Sequence, residues 1–431
     1  MTRKNLVKMC ALGMAMTMMM CGCSGASNAG ADQSAPEPQV EEAKQEEPKA
    51  EEPKAEEVKE EEAKTEEVTE EDAVDDQAKA DEVAALIDAI YVQEYTPETD
   101  EQCAKAKEAW DALTEEQKQL VEGEYADYDY FGRDTGDASL DDPLNQDEIG
   151  EKEILVVSFG ASFNESRAND IGGIEKAVAA AFPDYSVRRA FTAQIIINHV
   201  LAREGEKIDN VDQALARAVD NGVKELIILP THLMQGAEYD ELKGVLDEYQ
   251  DKFETVKLAL PLLGEVGDDA TVINEDKEKV ATIIANDAVA ANGYDSVEAS
   301  AQDGTAFVFV GHGTSHNAKV SYSQMQTQMD KLGYENIYIG TVEGEPEETS
   351  MESLIDRISE AGYKKVVIRP LMVVASDHVN NDIAGDDEDS WISTFNASGK
   401  FDTCEVQKDA LGRSEKIEEI YVEHVKDAIG K

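Results

Sequence analysis

From residue 151 onward, short uninterrupted apolar runs alternate with segments whose apolar residues recur every three or four positions. The runs are Ile154-Leu155-Val156-Val157, Leu226-Ile227-Ile228-Leu229, Phe307-Val308-Phe309-Val310 and Val366-Val367-Ile368. A run without alternation fits a strand buried on both faces. Between them, Ile174, Ala177, Val178, Ala181 and Phe182 form a helical stripe stopped by Pro183. Val211, Ala214, Leu215, Ala218 and Val219 form another, stopped at Asn221-Gly222. Strands alternating with helices predict an α/β fold with parallel sheets covered by helices.

The pattern also repeats itself. Val156-Val157-Ser158-Phe159-Gly160-Ala161-Ser162 matches Phe309-Val310-Gly311-His312-Gly313-Thr314-Ser315, and Leu226-Ile227-Ile228-Leu229-Pro230 matches Val366-Val367-Ile368-Arg369-Pro370. This predicts two similar lobes, about 151–263 and 304–431, with a helical connection and a cleft between them. In that register Phe159 falls opposite His312, and Glu238 opposite His378. Open α/β sheets build their sites at the C-terminal edges of strands, which is where these residues fall.

Upstream, periodicity changes again. Val83, Leu86, Ile87 and Ile90 share a helical face, and Ala106, Trp110 and Leu113 make a second stripe. Thr99-Asp100-Glu101-Gln102 and Thr114-Glu115-Glu116-Gln117 both fit the capping box that starts a helix. A small, separate helical module over 78–128 follows, with Cys103 and Trp110 in its core and a linker over 129–150. Residues 24–77, with their Glu-Glu-Pro-Lys-Ala repeats, bury too little apolar surface to fold and read as an extended acidic tether. Residues 1–23 combine Arg3, Lys4 and Lys8 with an apolar stretch too short to span a bilayer comfortably, the pattern of an export signal. Met20-Cys21-Gly22-Cys23 resembles a bacterial lipoprotein cleavage box with Cys23 as the lipidated residue. The expected location is extracytoplasmic, with the membrane reached through the lipid anchor only.

Charge narrows the ligands. The 431 residues carry 39 Lys+Arg against 93 Asp+Glu, a net charge of −54, which repels nucleic acid and anionic headgroups. No P-loop, no GxGxxG with a downstream acid and no Gly-x-Ser-x-Gly elbow is present, which argues against nucleotide-dependent and serine-hydrolase chemistry. The cysteines at 10, 21, 23, 103 and 404 form no metal knuckle. What remains is His312 and His378, each after a buried strand, with Glu343 after the short apolar run Ile339-Gly340-Thr341-Val342. Two neutral imidazoles and a carboxylate suit divalent Co, Ni, Fe or Zn with open coordination positions. His232, after Pro230-Thr231, is placed to line the same cleft. His199 and His424 fall in apolar helical patterns and read as structural. Asp386-Asp387-Glu388-Asp389 lacks the spacing of an EF-hand and reads as a surface loop.

Residues from about 152 to 430 resemble the sirohydrochlorin cobaltochelatases of the anaerobic cobalamin pathway, the type-II chelatases. The resemblance rests on Arg189-Ala190-Phe191-Thr192, Gly236-Ala237-Glu238-Tyr239, Gly311-His312-Gly313, Val342-Glu343, Pro370-Leu371-Met372-Val373-Val374-Ala375 and Asp377-His378-Val379-Asn380-Asn381-Asp382. It implies a tetrapyrrole cleft between two α/β lobes, a metal held by His312, Glu343 and His378, His312 as proton acceptor, Glu238 as a cleft carboxylate, and no ATP. Inserting M²⁺ into a tetrapyrrole releases two pyrrole protons, which a histidine and a carboxylate can take up. The substrate bears many carboxylates, so Arg189 and Arg369 are expected at the cleft rim. An exported leader departs from an enzyme of a cytoplasmic pathway. It keeps open a second reading: a surface-anchored receptor that binds haem, another tetrapyrrole or metal for uptake, with an uptake system or a second copy as partner.

Overall fold

The computed structural model describes residues 70–430. The leader, Cys23 and the tether as far as residue 69 lie outside the described residues. Helix α1 (Glu70–Ile90) begins within the stretch read as tether, and is followed by α2 (Thr99–Asp111). The first α/β half holds β1 (Lys152–Ser158), α3 (Gly172–Ala181), β2 (Ser186–Phe191), α4 (Gln194–Glu204), α5 (Val211–Asp220), β3 (Glu225–Pro230), α6 (Ala237–Tyr249) and β4 (Thr255–Leu258). Helices α7 (Glu275–Ala291) and α8 (Val297–Gln302) connect the halves. The second half holds β5 (Thr305–Gly311), α9 (Val320–Lys331), β6 (Ile337–Thr341), α10 (Met351–Glu360), β7 (Lys365–Pro370), α11 (Trp391–Ala397), β8 (Thr403–Val406) and α12 (Glu415–Gly430).

Each half carries one four-stranded parallel sheet, in the orders β2-β1-β3-β4 and β6-β5-β7-β8. The repeat read from the sequence is a repeat of register. Val157 pairs with Pro230 as Val310 pairs with Pro370. The chain leaves both central strands alike, with Thr231 N–H donating to Val157 O (2.8 Å) and Leu371 N–H to Val310 O (2.7 Å). Uninterrupted apolar strands are covered on both faces, as parallel sheets require. One core joins the halves: Ile154, Val156, Ile227 and Leu229 of the first sheet share a cluster with Phe307, Phe309 and Val367 of the second, through α7, α9 and α12. The last helix closes this core, and the Tyr421 hydroxyl donates to Thr231 O (3.1 Å).

The helical module is less separate than its sequence suggests. Ile87, Ile90, Cys103, Ala106 and Trp110 form its core as expected, but Ala202 of α4 belongs to the same cluster. The Cys103 thiol donates to Asn198 O (3.5 Å), and the Asn198 amide donates to Ile90 O (2.9 Å). From Asp76 onward the described chain is one compact unit. Thr114 makes the expected capping box with Gln117. Thr99 does not: Glu98 is the cap residue, and Thr99 turns its hydroxyl back to accept from Thr96 N–H (2.9 Å). The segment 129–150 is no free linker either. Asp141 is buried and accepts from Arg167 Nε (3.0 Å) and from both Nη atoms of Arg189 (2.8 and 2.9 Å).

Candidate functional site

The centre of the site is the loop that follows β5. Gly313 has φ +94°, and a Cβ there would lie 2.7 Å from Cβ of Glu343. A Cβ at Gly311 would run into the ring of Tyr322. Both glycines flanking His312 are therefore required for the close approach of neighbouring chain. The Tyr322 hydroxyl accepts from Gly313 N–H (3.1 Å), and Glu343 N–H donates to His312 O (2.9 Å). His312 is thus held between β5, α9 and the chain leaving β6.

His378 arrives from the other side. Residues His378–Ile383 form a π-helical turn, pinned by Val379 and Ile383, both fully buried in the second-half core. The His312 and His378 rings meet edge to face with centroids 4.4 Å apart. His312 Nδ1 lies 2.7 Å from Gly313 O, and His378 Nδ1 lies 2.6 Å from Asp382 Oδ2. A carbonyl or carboxylate oxygen only accepts, so Nδ1 is the donor in each ring, and in its neutral form each ring carries its lone pair on Nε2. That is the tautomer a metal ligand needs, with Asp382 as the outer partner that orients one ring. Asp382 was missed in the sequence; its spacing of four from His378 on a helical turn was the available signal.

Glu343 completes the set only in part. Its backbone lies beside His312, and its side chain is exposed. Among the described residues, no three His, Cys, Asp or Glu side chains stand close enough together to hold one ion. The two imidazoles meet, and the carboxylate sits next to them on an exposed loop.

The first half supplies the facing wall. Phe159, at the position equivalent to His312, is 39% exposed although large and apolar. Glu238 opens α6, and its Oε2 lies 3.6 Å from His232 Nε2. Burial raises the Tyr322 hydroxyl to about 12, and the charge of Glu238 adds to that rise. The carboxylate is therefore in electrostatic reach of the His312–Gly313 loop. His232 is 8% exposed, neither of its ring nitrogens has a hydrogen-bond partner, and burial lowers its pKa to about 4. His316 reaches across to Asp240 of α6 (3.4 Å). Beside that contact lies a cavity of about 870 Å³, lined from both halves by Tyr239, Asp240, Lys243, Val266, His316 and Val320. It flanks the imidazole pair rather than enclosing it.

Of the two arginines expected at the rim, Arg189 is buried and Arg369 is half-buried. Arg189 is 1% exposed and is gripped by Glu175 (2.7 Å) and Asp141 (2.8 Å), because its position on β2 points it into the first-half interior. Arg369, two residues after Val367, lies on the sheet face toward the shared core. Its Nη1 is buried without a hydrogen-bond partner, and burial lowers its pKa. His199 and His424 are structural. His199 stacks on Tyr130 (centroids 4.0 Å) and bonds to Tyr130 O, while His424 Nδ1 bonds to Leu260 O (3.0 Å).

Residues 152–430 match the family model described as cobalt chelatase (CbiK). A sirohydrochlorin cobaltochelatase of Salmonella typhimurium is 31% identical over 279 residues, 65% of this chain and 97% of its own length. The sirohydrochlorin cobaltochelatase CbiKC of Nitratidesulfovibrio vulgaris is 28% identical over 251 residues, 58% of this chain and 81% of its own. A solved structure, SirB from Bacillus subtilis with Fe³⁺, covers 65% of this chain and 96% of its own at 11% identity, with a TM-score of 0.44.

Proposed function

The chain belongs to the cobalt chelatase (CbiK) family, and from that premise we propose that it inserts Co²⁺ into sirohydrochlorin without nucleotide. The observation that carries this reading is the meeting of two imidazoles from separate loops, ring centroids 4.4 Å apart, each with Nδ1 against an oxygen acceptor. His312, His378 and the exposed carboxylate of Glu343 are the groups to grip the incoming metal. An open set of this kind holds an ion and can also surrender it, which a closed tetrahedral site does poorly. His312 takes one pyrrole proton, and Glu238 across the cleft takes or passes on the second. Phe159 offers an apolar surface to a macrocycle. Buried Arg189 is withdrawn as a substrate ligand. Ni²⁺ and Fe²⁺ are alternative substrate metals for the same nitrogen and oxygen donors.

The test is the Co²⁺-dependent loss of free sirohydrochlorin absorbance with the full chain. Turnover in the wild type, lost in Glu343→Gln by about tenfold or more, supports the assignment. A stable pigment complex with no metal insertion overturns it in favour of the binding protein. The leader residues support a reading of export and lipidation at Cys23, with the chemistry outside the cytoplasm. Cys23→Ser should release the protein from membranes, and retention of the variant would end that reading.

A further inference from the structure

The segment that follows the helical module reaches the turn that carries His378. Arg133, just beyond the short helical turn Asp129–Gly132, donates from Nη1 to Asn381 Oδ1 (3.1 Å), three residues after His378. Its Nη2 is held by Asp129 Oδ2 (2.5 Å), and its guanidinium lies 5.7 Å above the Phe163 ring in the loop after β1. The arginine is fixed from both sides along the chain. Before it, Tyr130 stacks on His199 of α4 and accepts its ring nitrogen at the backbone oxygen. After it, Thr135 O accepts from Glu165 N–H (2.9 Å) and Gly136 O from the Asn164 amide (3.1 Å). A guanidinium so anchored is preorganised and loses little freedom in making its contact.

The turn it touches is also tied by the first half. Ala375 N–H donates to buried Asp170 Oδ2 (2.9 Å), Ala375 O accepts from the Ser166 hydroxyl, and Arg413 Nε holds Asp170 from behind (2.8 Å). Those ties lie inside the family-matched span, 152–430, and act at the start of the segment. Arg133 is a tie from outside that span, and it acts on the turn itself. The Salmonella relative, aligned over 97% of its length, has no stretch to match the module.

We propose that Arg133 is a positioning residue for His378, so that the segment following the helical module completes the metal-binding turn of this chelatase. The proposal rests on the reading of His378 as a metal ligand. The experiment uses the full chain and its Arg133→Met and Arg133→Lys variants. It follows Co²⁺ titration without pigment, the KM for Co²⁺ against kcat, and amide hydrogen exchange over 378–383.

Arg133→Met should weaken Co²⁺ binding and raise its KM by about tenfold, the scale for losing an outer-shell partner. It should leave kcat, the KM for sirohydrochlorin and the thermal midpoint near wild type, and speed exchange of the turn. Arg133→Lys, which keeps a donor for Asn381, should restore part of the Co²⁺ affinity. Unchanged affinity with unchanged exchange overturns the proposal, as does a loss that tracks the thermal midpoint and is not relieved by lysine. Exchange needs no metal, so it decides the clasp even if the wild type binds no Co²⁺, an outcome that would sink the site reading alone. Should Arg133→Met fail to fold, Asn381→Ala removes the same bond from the other end and is read in the same way.

Discussion

In the second half, Glu343 N–H donates to His312 O; in the first, Ala193 N–H donates to Phe159 O (3.2 Å) at the equivalent place. The backbone frame is the same, and with Glu238 opposite His378 it carries Phe159, Ala193 and Glu238 where the other half carries His312, Glu343 and His378. On the neighbouring strands the polarity is reversed. Val308 and Phe309 pair with Tyr338 and Ile339 on β6, while Leu155 and Val156 pair with Arg188 and Arg189 on β2. Both arginines are buried and paired, Arg188 with Glu153 and Arg189 with Glu175 and Asp141. One half pairs apolar residues between its central and outer strands and carries His312 and His378 in the strand-end loops. The other draws Arg188 and Arg189 into the interior, where Arg189 fastens Asp141 of 129–150, and leaves Phe159 at the strand end. On the proposed function, the duplicated frame would support chemistry on one side and a binding surface with a carboxylate on the other.

The largest effect should separate the equivalent strand-end residues. His312→Ala removes the proposed proton acceptor and metal ligand and should lower turnover by about 10²- to 10⁴-fold. Phe159→Ala trims a half-exposed wall and should raise the KM for sirohydrochlorin a few fold with kcat retained. Steady-state kinetics on the two variants is sufficient. Equal losses of kcat would mean that the halves do not divide the work as described.

The buried charges give the next contrast. Arg189→Met leaves Glu175 in the interior without its cation and Asp141 with Arg167 alone. Removing one partner of a buried pair costs about 3–5 kcal/mol. Ile339→Val, at the matching position of β6, removes one methylene from the core and should cost about 0.5–1.5 kcal/mol. Denaturant unfolding of both variants measures the difference. A cost for Arg189→Met no larger than for Ile339→Val would show that the network contributes nothing beyond packing.

These contrasts also mark what could be read without coordinates. Each central strand was an unbroken apolar run, and the halves repeat in one register, so sheets, lobes and strand-end loops were legible. His312 stood out because a polar residue directly after a buried strand has few structural uses, and His378 because it falls in the loop after the matching strand of the repeat. The network was illegible because its partners lie far apart in sequence: Asp141 meets Arg167 and Arg189 across 26 and 48 positions. Without those partners the acidic stretch 129–150 looked like a spacer, and Arg189 looked free to reach a substrate. Periodicity likewise showed that α1 and α2 have apolar faces, but not that α4 supplies part of their cover. The carboxylate Glu343 was visible by position after β6, whereas the exposure of its side chain depends on a loop that carries no periodic signal.

The smallest effect concerns the residues that follow β3 and β7. Leu262 N–H donates to His232 O (3.1 Å) as Leu411 N–H donates to Met372 O (2.9 Å), so His232 and Met372 are equivalent. Only the histidine titrates. Burial lowers it from 6.5 in the unfolded chain to about 4 in the folded one. Above pH 6.5 both states are neutral there and the site adds no pH dependence. Between pH 6.5 and 4 the unfolded chain takes up a proton that the folded chain refuses, so stability falls with falling pH, by at most about 1.4 kcal/mol per unit. Below about pH 4 both states are protonated and the loss levels off. Buried His199, lowered further to about 3, acts in the same direction and continues the decline. His232→Met, which copies the other half, should therefore flatten the wild-type slope by up to one proton between pH 6.5 and 4.5 while leaving the His199 contribution in place. Urea midpoints at three pH values in that window measure it. A variant slope identical to wild type would mean that His232 is not held neutral by the wall it stands in, and the two strand-end positions would then differ in shape but not in electrostatics.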